Sequence, residues 1–241
     1  MLYNSLWVIG DKNIYKFLKQ YTDKTRTVTG GTFVYQQEDD RYHLFFLLEG
    51  RIKVTLSNIH GSEKTLAIHE PGSFFGETAF FDEYPSFTNA FAEIDSTVLL
   101  FTKDQLLKLF QDHPEIIFHL FGSMGRKIRL LSFQVEYLTF MRIEQRVVAL
   151  LLSLFGSFGK ECLNSNPELT DNCNCVTQCP AGSHLELTIT DQEIADMIGA
   201  RREAVTKSIA NLKKQNLIYK HKRTICCPDI ENLNVFLLSD N

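Results

Sequence analysis

Residues 200–223 carry a marked excess of positive charge. They hold eight lysines and arginines and one glutamate, a local net charge of +7, whereas the whole chain of 241 residues has a net charge of −4. The remaining residues therefore carry a net charge of −11. Guanidinium and ammonium groups clustered in this way can neutralise phosphates, so this region is predicted to contact a polyanion. The acidic balance elsewhere excludes a protein that is basic over its whole surface.

Two short helices are predicted around this basic region. Residues Thr190–Glu193 have the Thr-x-x-Glu pattern of a capping box, and the first helix ends at Gly199. A second helix follows, with Val205, Ile209 and Leu212 directed inward, as in a helix-turn-helix. Its opposite side suits a DNA major groove, because cations bind guanine and carboxylates accept from cytosine. The predicted DNA contacts are Arg201, Arg202, Glu203, Thr206, Lys207, Lys213, Lys214, Lys220, Lys222 and Arg223.

The last members of this set have a different expected role. Lys213 and Lys214 are predicted to meet phosphates, and Lys220–Arg223 lies between Tyr219 and Ile225, as the tip of a β-wing would. Charges that contact the DNA backbone fix the position of the protein but carry no sequence information.

Different patterns precede this region. From Arg26 to about Phe101, short apolar and β-branched runs alternate with glycine and proline turns, which predicts a β-roll or sandwich. A long helix is predicted from Pro114 to about Phe140. Its apolar residues recur in steps of four and three over three heptads, which favours a parallel dimer seam over a helix that packs only on its own domain. The predicted dimer interface is Ile117, Phe121, Met124, Ile128, Leu131, Val135 and Leu138.

Three stretches resemble the CRP/FNR superfamily of bacterial transcription regulators. They are Leu48–Val54, Pro71–Glu77 and the helix-turn-helix segment Ile189–Val205. The resemblance implies a homodimer that binds a palindromic double-stranded DNA site with a TGTGA-like half, with RNA polymerase as a further partner. It also places Arg202, Glu203 and Lys207 at the base-reading positions, although the last of these is usually arginine in the family.

The same resemblance implies an α+β fold of three parts. An N-terminal double-stranded β-helix (a β-roll or jelly roll) that senses an effector is expected over residues 1–111, and a dimerisation helix over 112–140. A winged helix-turn-helix domain is expected over 141–241, with a cysteine-containing insertion over 156–183.

The effector is predicted not to be cAMP. Family members that bind cyclic nucleotides hold the ribose with a glutamate and the phosphate with an Arg-Ser pair. This sequence keeps Gly76 and Glu77 but has Phe87-Thr88 in place of Arg-Ser, and it has no lysine or arginine over 65–102. A phosphate buried without a cation would lose several kcal/mol of hydration. Arg126 and Arg129 of the long helix are the cations that could still reach the site.

An apolar or aromatic small molecule is predicted instead. A cluster of phenylalanines over 74–91 is interpreted mainly as core, with Phe87 as the exception, because it stands where a ligand contact is expected. The predicted effector contacts are Gly76, Glu77, Phe87, Thr88, Leu131 and Ser132.

Four cysteines in the polar segment before the helix-turn-helix suggest an alternative signal. Cys162, Cys173, Cys175 and Cys179 are candidate ligands of zinc or an iron–sulfur cluster, although their spacing is not the familiar Cys-x2-Cys. A thiol–disulfide switch and an insertion without function are the other interpretations. A redox- or metal-responsive regulator is thus the alternative function. Haem is not expected, because no histidine or cysteine lies between His69 and His113, where the resemblance would require a ligand.

Other classes of protein are less consistent with the sequence. It has no G-x-S-x-G, H-E-x-x-H or G-x-x-x-x-G-K motif, so no catalytic residue and no enzyme activity are predicted. An interaction module that does not bind DNA is the remaining alternative. The apolar run Val147–Phe155 is far shorter than the roughly 20 residues of a membrane span. The N-terminus lacks the basic region of a secretory signal, so a cytoplasmic protein without a membrane partner is expected.

Overall fold

The computed structural model describes residues 6–40, 42–161, 183–185, 188–221 and 223–239. The chain forms two compact units, and the boundary between them follows Ser132. The first unit begins at Leu6, and the second unit begins at Phe133. Among the described residues, no helix is both long and apolar enough to cross a bilayer.

The first unit is built on one hydrogen-bonded sheet. Its strands are β1 (Trp7–Val8), β2 (Thr25–Val28), β3 (Phe33–Tyr35), β4 (Leu44–Ser57), β5 (Glu63–His69), β6 (Phe74–Phe75) and β7 (Asn89–Phe101). The strand order is β1-β5-β4-β7-β2, with β3 paired to β7 and β6 paired to β4. Only β1 with β5 is a parallel pair among these strands. This arrangement confirms the predicted N-terminal β-roll.

Glycine turns between short strands were predicted in this part of the chain, but strand β4 is continuous through Glu49-Gly50. The pairing of β4 with β7 shifts register at this point, which accommodates the glycine within the strand. Gly50 has a φ of +96°, and a Cβ there would lie 2.1 Å from Ser96 Oγ, so the irregularity requires glycine.

In the described part of this unit, a short 3-10 helix (Lys12–Ile14) and four α-helices accompany the sheet. The α-helices are α1 (Tyr15–Leu18), α2 (Glu77–Asp82), α3 (Lys103–Asp112) and α4 (Glu115–Phe140). Helix α4 corresponds to the helix expected over 112–140, but it starts later because Asp112 still belongs to α3. Its first turns are anchored in the β-roll, since Ile116 and Leu120 are buried in one cluster with Phe46 and Leu109.

The second unit contains the C-terminal domain. Its elements are α5 (Ile143–Phe158), β8 (Gly159–Glu161), β9 (Ser183–Leu185), α6 (Asp191–Ile198), α7 (Arg202–Lys214), β10 (Tyr219–His221), β11 (Thr224–Cys227) and α8 (Ile230–Leu238). The strands form an antiparallel sheet in the order β10-β11-β9-β8. The apolar run Val147–Phe155 is buried throughout as the central part of α5. Helices α6 and α7 followed by β10 and β11 are the predicted winged helix-turn-helix.

The predicted insertion over 156–183 overlaps regular elements at both ends, and residues 162–182 lie outside the described residues. Residues 156–161 belong to α5 and β8, and Ser183 starts β9. Strand β9 pairs with both β8 and β11, so the two ends of the segment lie side by side in the sheet. The glycine and polar composition concealed these strands, because pairing across a long separation leaves little local sequence signal.

Candidate effector cavity and DNA-binding surface

A cavity of about 90 Å³ lies within the first unit. Its described lining comes from the β-roll and from α4, and it combines apolar walls with a few polar side chains. The lining residues are Tyr35, Val54, Leu66, Ala67, His69, Phe75, Gly76, Glu77, Thr78, Phe87, Thr88, Lys127, Leu130 and Leu131. This volume is small beside the roughly 300–1,000 Å³ of pockets that enclose drug-sized ligands.

Gly76 determines where Glu77 lies. Its φ of +78° suits glycine, and a Cβ at this position would approach a ring carbon of Phe45 to 2.8 Å. Helix α2 starts at the next residue, so Glu77 is the first helical residue and lines the cavity.

Lys127 of α4 supplies a cation to this cavity. Its Nζ donates hydrogen bonds of 2.8 Å to Glu77 Oε2 and of 2.8 Å to the Phe74 carbonyl oxygen. The Lys127 and Glu77 side chains are only 14% and 13% exposed, so this is a largely buried ion pair. The sequence predicted that only Arg126 or Arg129 could bring a positive charge to this site. This prediction is wrong, because both arginines are exposed and the cation that lines the cavity is Lys127.

Two further polar side chains of the cavity are uncharged. Burial, and then the nearby charge of Lys127, lowers the pKa of His69 well below its ordinary value. Burial raises the pKa of Tyr35 by more than its hydrogen bond with Thr88 lowers it, and the charge of Glu77 raises it further. At neutral pH, His69 is therefore neutral and Tyr35 keeps its proton.

The predicted effector residues mostly meet at this cavity. Gly76, Glu77, Phe87, Thr88 and Leu131 all line it. Ser132 is not among the described lining residues; it is exposed, and its hydroxyl donates to the Ile128 carbonyl oxygen at 2.9 Å. The sequence reasoning missed the lining residues Tyr35, His69 and Lys127. Lys127 stands three and four residues before Leu130 and Leu131, a helical spacing that could have revealed it.

The phenylalanine cluster divides only partly as expected. Phe74, Phe75 and Phe80 are buried, although Phe75 also lines the cavity, and Phe81 is 45% exposed and is not a core residue. Phe87 lines the cavity and is 53% exposed. Its ring therefore stands at the edge of the cavity.

Helix α4 carries an exposed apolar stripe. Phe121, Ile128 and Val135 recur every seven residues and are 65%, 64% and 64% exposed. Leu131 and Leu138 are exposed as well, whereas Ile117 and Met124 are partly buried and Met124 packs on the β-roll core. Ile117 and Met124 are thus less exposed in the single chain than the other five predicted seam residues, and for Met124 the reason is its packing on the β-roll core.

The helix-turn-helix is built as the sequence predicted. Thr190 Oγ1 accepts from the Glu193 amide at 3.1 Å, and the Glu193 carboxylate accepts from the Thr190 amide at 2.7 Å, which completes the capping box. Helix α6 ends at Gly199, where φ is +66°. Helix α7 then buries Val205, along with Ile209 and Leu212.

The opposite side of α7 is exposed and rich in cations. Most of the predicted DNA contacts are exposed residues at the N-cap of α7 or on the helix itself: Arg201, Arg202, Glu203, Thr206, Lys207, Lys213 and Lys214. Arg223 is also exposed, in the turn between β10 and β11, and Lys222 lies outside the described residues.

Lys220 has a partner inside the domain. Its Nζ lies 2.5 Å from Asp191 Oδ1 at the start of α6, and Thr206 Oγ1 of α7 donates to Asp191 Oδ2 at 2.6 Å. Burial alone would raise the pKa of Asp191, but these hydrogen bonds and the charges of Lys220 and Arg202 lower it below its ordinary value. Asp191 thus links α6, α7 and the wing. Lys220 differs in this respect from the unpaired wing-tip cation that the sequence suggested.

The cysteine hypothesis falls mostly on residues that the structure does not describe. Cys162, Cys173, Cys175 and Cys179 lie outside the described residues. Cys226 and Cys227 are buried in β11. Within the described part of the chain, no group of three or more His, Cys, Asp or Glu side chains could hold a metal ion.

Each of the two sites lies largely in a part of the chain that matches a known protein family. Residues 25–113 match the cyclic nucleotide-binding domain, and residues 145–236 match the Crp-like helix-turn-helix domain. The chain belongs to the CRP/FNR superfamily. This CRP/FNR-family member is a transcription regulator with a DNA-binding domain and an effector domain, and its homologues are regulators and not enzymes.

Individual relatives agree with this assignment. The chain is 29% identical over 210 residues to the cAMP-activated global transcriptional regulator CRP of Haemophilus influenzae. The aligned region covers 86% of this chain and 82% of the relative. It is 26% identical over 205 residues to the CRP-like cAMP-activated global transcriptional regulator of Mycobacterium tuberculosis. The aligned region covers 84% of this chain and 83% of the relative.

Two solved structures share the fold of this chain. A point variant of CprK complexed with OCPA has a TM-score of 0.74 at 20% identity, and the match covers 97% of this chain and 98% of the CprK chain. A mutant of CooA from Carboxydothermus hydrogenoformans has a TM-score of 0.72 at 21% identity, and the match covers 89% of this chain and 87% of the CooA chain. At these identities the likeness concerns the fold alone, and it confirms the predicted order of β-roll, long helix and helix-turn-helix.

Proposed function

We propose that this regulator is a homodimer that binds a palindromic DNA site through α7 and responds to a small apolar or aromatic molecule in the β-roll cavity. It acts in the cytoplasm together with RNA polymerase. The observation that carries the DNA-binding part is the exposed cationic side of α7, which lies on a Crp-like helix-turn-helix with its apolar side buried.

The side chains on α7 favour reading of bases. Arg202 can donate two hydrogen bonds to a guanine, and Glu203 can accept from a cytosine. Lys207 offers a point charge instead of a planar fork, so the base that it faces is read more loosely than with arginine. Lys213 and Lys214, in the last turn of α7, are suited to backbone phosphates. These roles support a TGTGA-like half-site.

The apolar stripe of α4 supports the dimer. Three large side chains of one heptad register, Phe121, Ile128 and Val135, are more than half exposed in the single chain. A second copy of α4 would bury them as a parallel coiled-coil seam, and such a dimer can present two copies of α7 to major grooves about 34 Å apart.

The polar groups of the cavity argue against cAMP, although the curated relatives are named as cAMP-activated. The Glu77 carboxylate, which would bind the ribose, is engaged with Lys127. Phe87 and Thr88 offer no charge to a phosphate, and the cavity of about 90 Å³ is small for a nucleotide. A compact, mainly apolar effector fits these walls better.

Equilibrium binding to DNA tests this function. Fluorescence anisotropy of a labelled duplex with two inverted TGTGA-like halves would be compared with a scrambled duplex of equal length and composition, with and without cAMP. We expect tighter binding to the palindrome, a steep loss of affinity with salt, and no effect of cAMP. Equal affinity for the two duplexes would contradict sequence-specific binding, and activation by cAMP would contradict the effector assignment.

A further inference from the structure

We propose that the cavity binds an uncharged molecule of about one ring, with a single polar group that both donates and accepts a hydrogen bond. Phenols and ring-bearing alcohols belong to this chemical class. The inference rests on the proposed function in one respect, that the β-roll cavity is the effector site. It goes further by giving the charge, size and hydrogen-bonding character of the effector.

The net charge of the described lining is the first argument. It holds one cation, Lys127, and one anion, Glu77, and these two side chains pair at 2.8 Å. An anion placed beside Lys127 would also lie close to Glu77, so attraction and repulsion would largely cancel. The anion would then lose its hydration without compensation, whereas an uncharged group avoids most of this cost.

The hydrogen-bonding capacity of the lining is the second argument. Ser73 Oγ donates to the Glu70 carbonyl oxygen at 2.7 Å, so it must accept from His69 Nδ1, which lies 3.1 Å away. His69 is therefore the tautomer with its proton on Nδ1, and its Nε2 is an acceptor.

Lys127 provides the complementary donor. Two of the three ammonium hydrogens of Lys127 are used by Glu77 and Phe74. The third remains available as a donor in a residue that lines the cavity. A hydroxyl group can satisfy both sides, because it accepts from Lys127 and donates to His69.

The shape and polarity of the walls are the third argument. Val54, Leu66 and Leu130 line the cavity together with the rings of Phe75 and Phe87. The volume of about 90 Å³ is of the same order as the roughly 150 Å³ of an apolar protein cavity that binds benzene. Phe87 is half exposed and can adjust its rotamer to admit a ring. The cavity therefore suits one ring and not a nucleoside.

Isothermal titration calorimetry on the full-length protein tests the ranking of ligands. The probes are phenol and benzyl alcohol, which are uncharged, benzoate, which adds a charge to the same ring, and cAMP. We expect both uncharged probes to bind, and benzoate and cAMP to bind at least about tenfold more weakly, a difference of about 1.4 kcal/mol. Equal or tighter binding of benzoate or cAMP would overturn the proposal, as would a lack of binding by both uncharged probes.

A change of charge in the cavity provides a second test. Glu77→Gln leaves Lys127 without its counter-charge, so the affinity for benzoate relative to phenol is expected to rise about tenfold. Glu83→Gln is the matched control, because Glu83 forms an exposed ion pair with Lys103 and is not among the lining residues, and it is expected to leave the ratio unchanged. An unchanged ratio in a folded Glu77→Gln variant would contradict the charge argument. The ranking with the unmodified protein stands even if this variant does not fold.

These outcomes are separate from those of the proposed function, because ligand binding is measured without DNA. A protein that binds phenol but has no preference for the palindrome would contradict the DNA-binding proposal and leave this inference intact. A protein that binds the palindrome but prefers benzoate or cAMP would overturn this inference alone.

Discussion

At the residue scale, one carboxylate connects the parts of the DNA-binding domain. Asp191 accepts from Thr206 of α7 and pairs with Lys220 of β10, so a single side chain at the start of α6 touches both the predicted reading helix and the wing. Thr206 and Lys220 therefore differ from the other predicted DNA contacts. In the single chain their side chains connect α7 and the wing to α6, and their predicted DNA contacts stay a prediction.

Replacement of Asp191 should uncouple these elements. Asp191→Asn removes the charge that Lys220 faces in a largely buried pair, and we expect the free energy of unfolding to fall by about 1–3 kcal/mol at pH 7. Urea denaturation measures this, with Glu231→Gln, an exposed carboxylate of α8, as the control. A loss no larger than that of the control would contradict the role of Asp191.

The same ion pair predicts a dependence on pH. The folded-state pKa of Asp191 lies below its ordinary value, so its contribution to stability is present above the unfolded pKa and is lost as the pH falls through the folded pKa. The difference in stability between the wild type and Asp191→Asn should therefore narrow as the pH falls below about 4. Urea denaturation of both proteins at several pH values measures it, and a difference that widens in acid would contradict this assignment.

Arg202 and Lys214 should differ in what they contribute to DNA binding. Arg202→Ala is expected to weaken binding to the palindrome by about 1–3 kcal/mol and to leave the scrambled duplex less affected. Lys214→Ala should weaken both alike and reduce the salt dependence by about one unit of slope. Anisotropy titrations at several salt concentrations distinguish these effects. Unchanged specific binding by Arg202→Ala would mean that α7 is not the reading helix.

At the element scale, local patterns were informative where the determining contacts are local. The capping box from Thr190 to Glu193 and the stop at Gly199 predicted α6 correctly, because both act within one turn of helix. The pairing of Lys127 with Glu77 was missed, because the two residues are 50 positions apart in the chain and no periodicity reports a contact between them. The heptad pattern likewise identified α4 but not that Met124 faces the β-roll.

The exposed stripe of α4 makes a prediction about oligomeric state. Ile128→Glu places a charge on a side chain that is already exposed in the single chain, so the fold should survive while the dimer dissociates. Arg126→Glu, on another side of the same helix, is the matched control and should stay dimeric. Light scattering coupled to size-exclusion chromatography measures the mass. A dimeric Ile128→Glu variant would contradict the α4 interface.

At the scale of the whole molecule, the positive charge is concentrated in the part of the fold that is predicted to bind DNA. The net charge of +7 in residues 200–223 coincides with α7 and the wing, while the rest of the chain is acidic. This asymmetry and the order of the domains were predictable, because charge, hydrophobic period and family motifs are written along the chain. The positions of Tyr35, His69 and Lys127 in the cavity were not, because they depend on how the β-roll folds and on how α4 packs against it.

The central claim is that two copies of this chain act together on one palindromic site. Sedimentation velocity of the protein with a fluorescently labelled duplex measures the number of chains per duplex directly. We expect two chains on the palindrome and weaker binding to a duplex with only one half-site. One chain per palindrome, or equal affinity for the single half-site, would contradict the account.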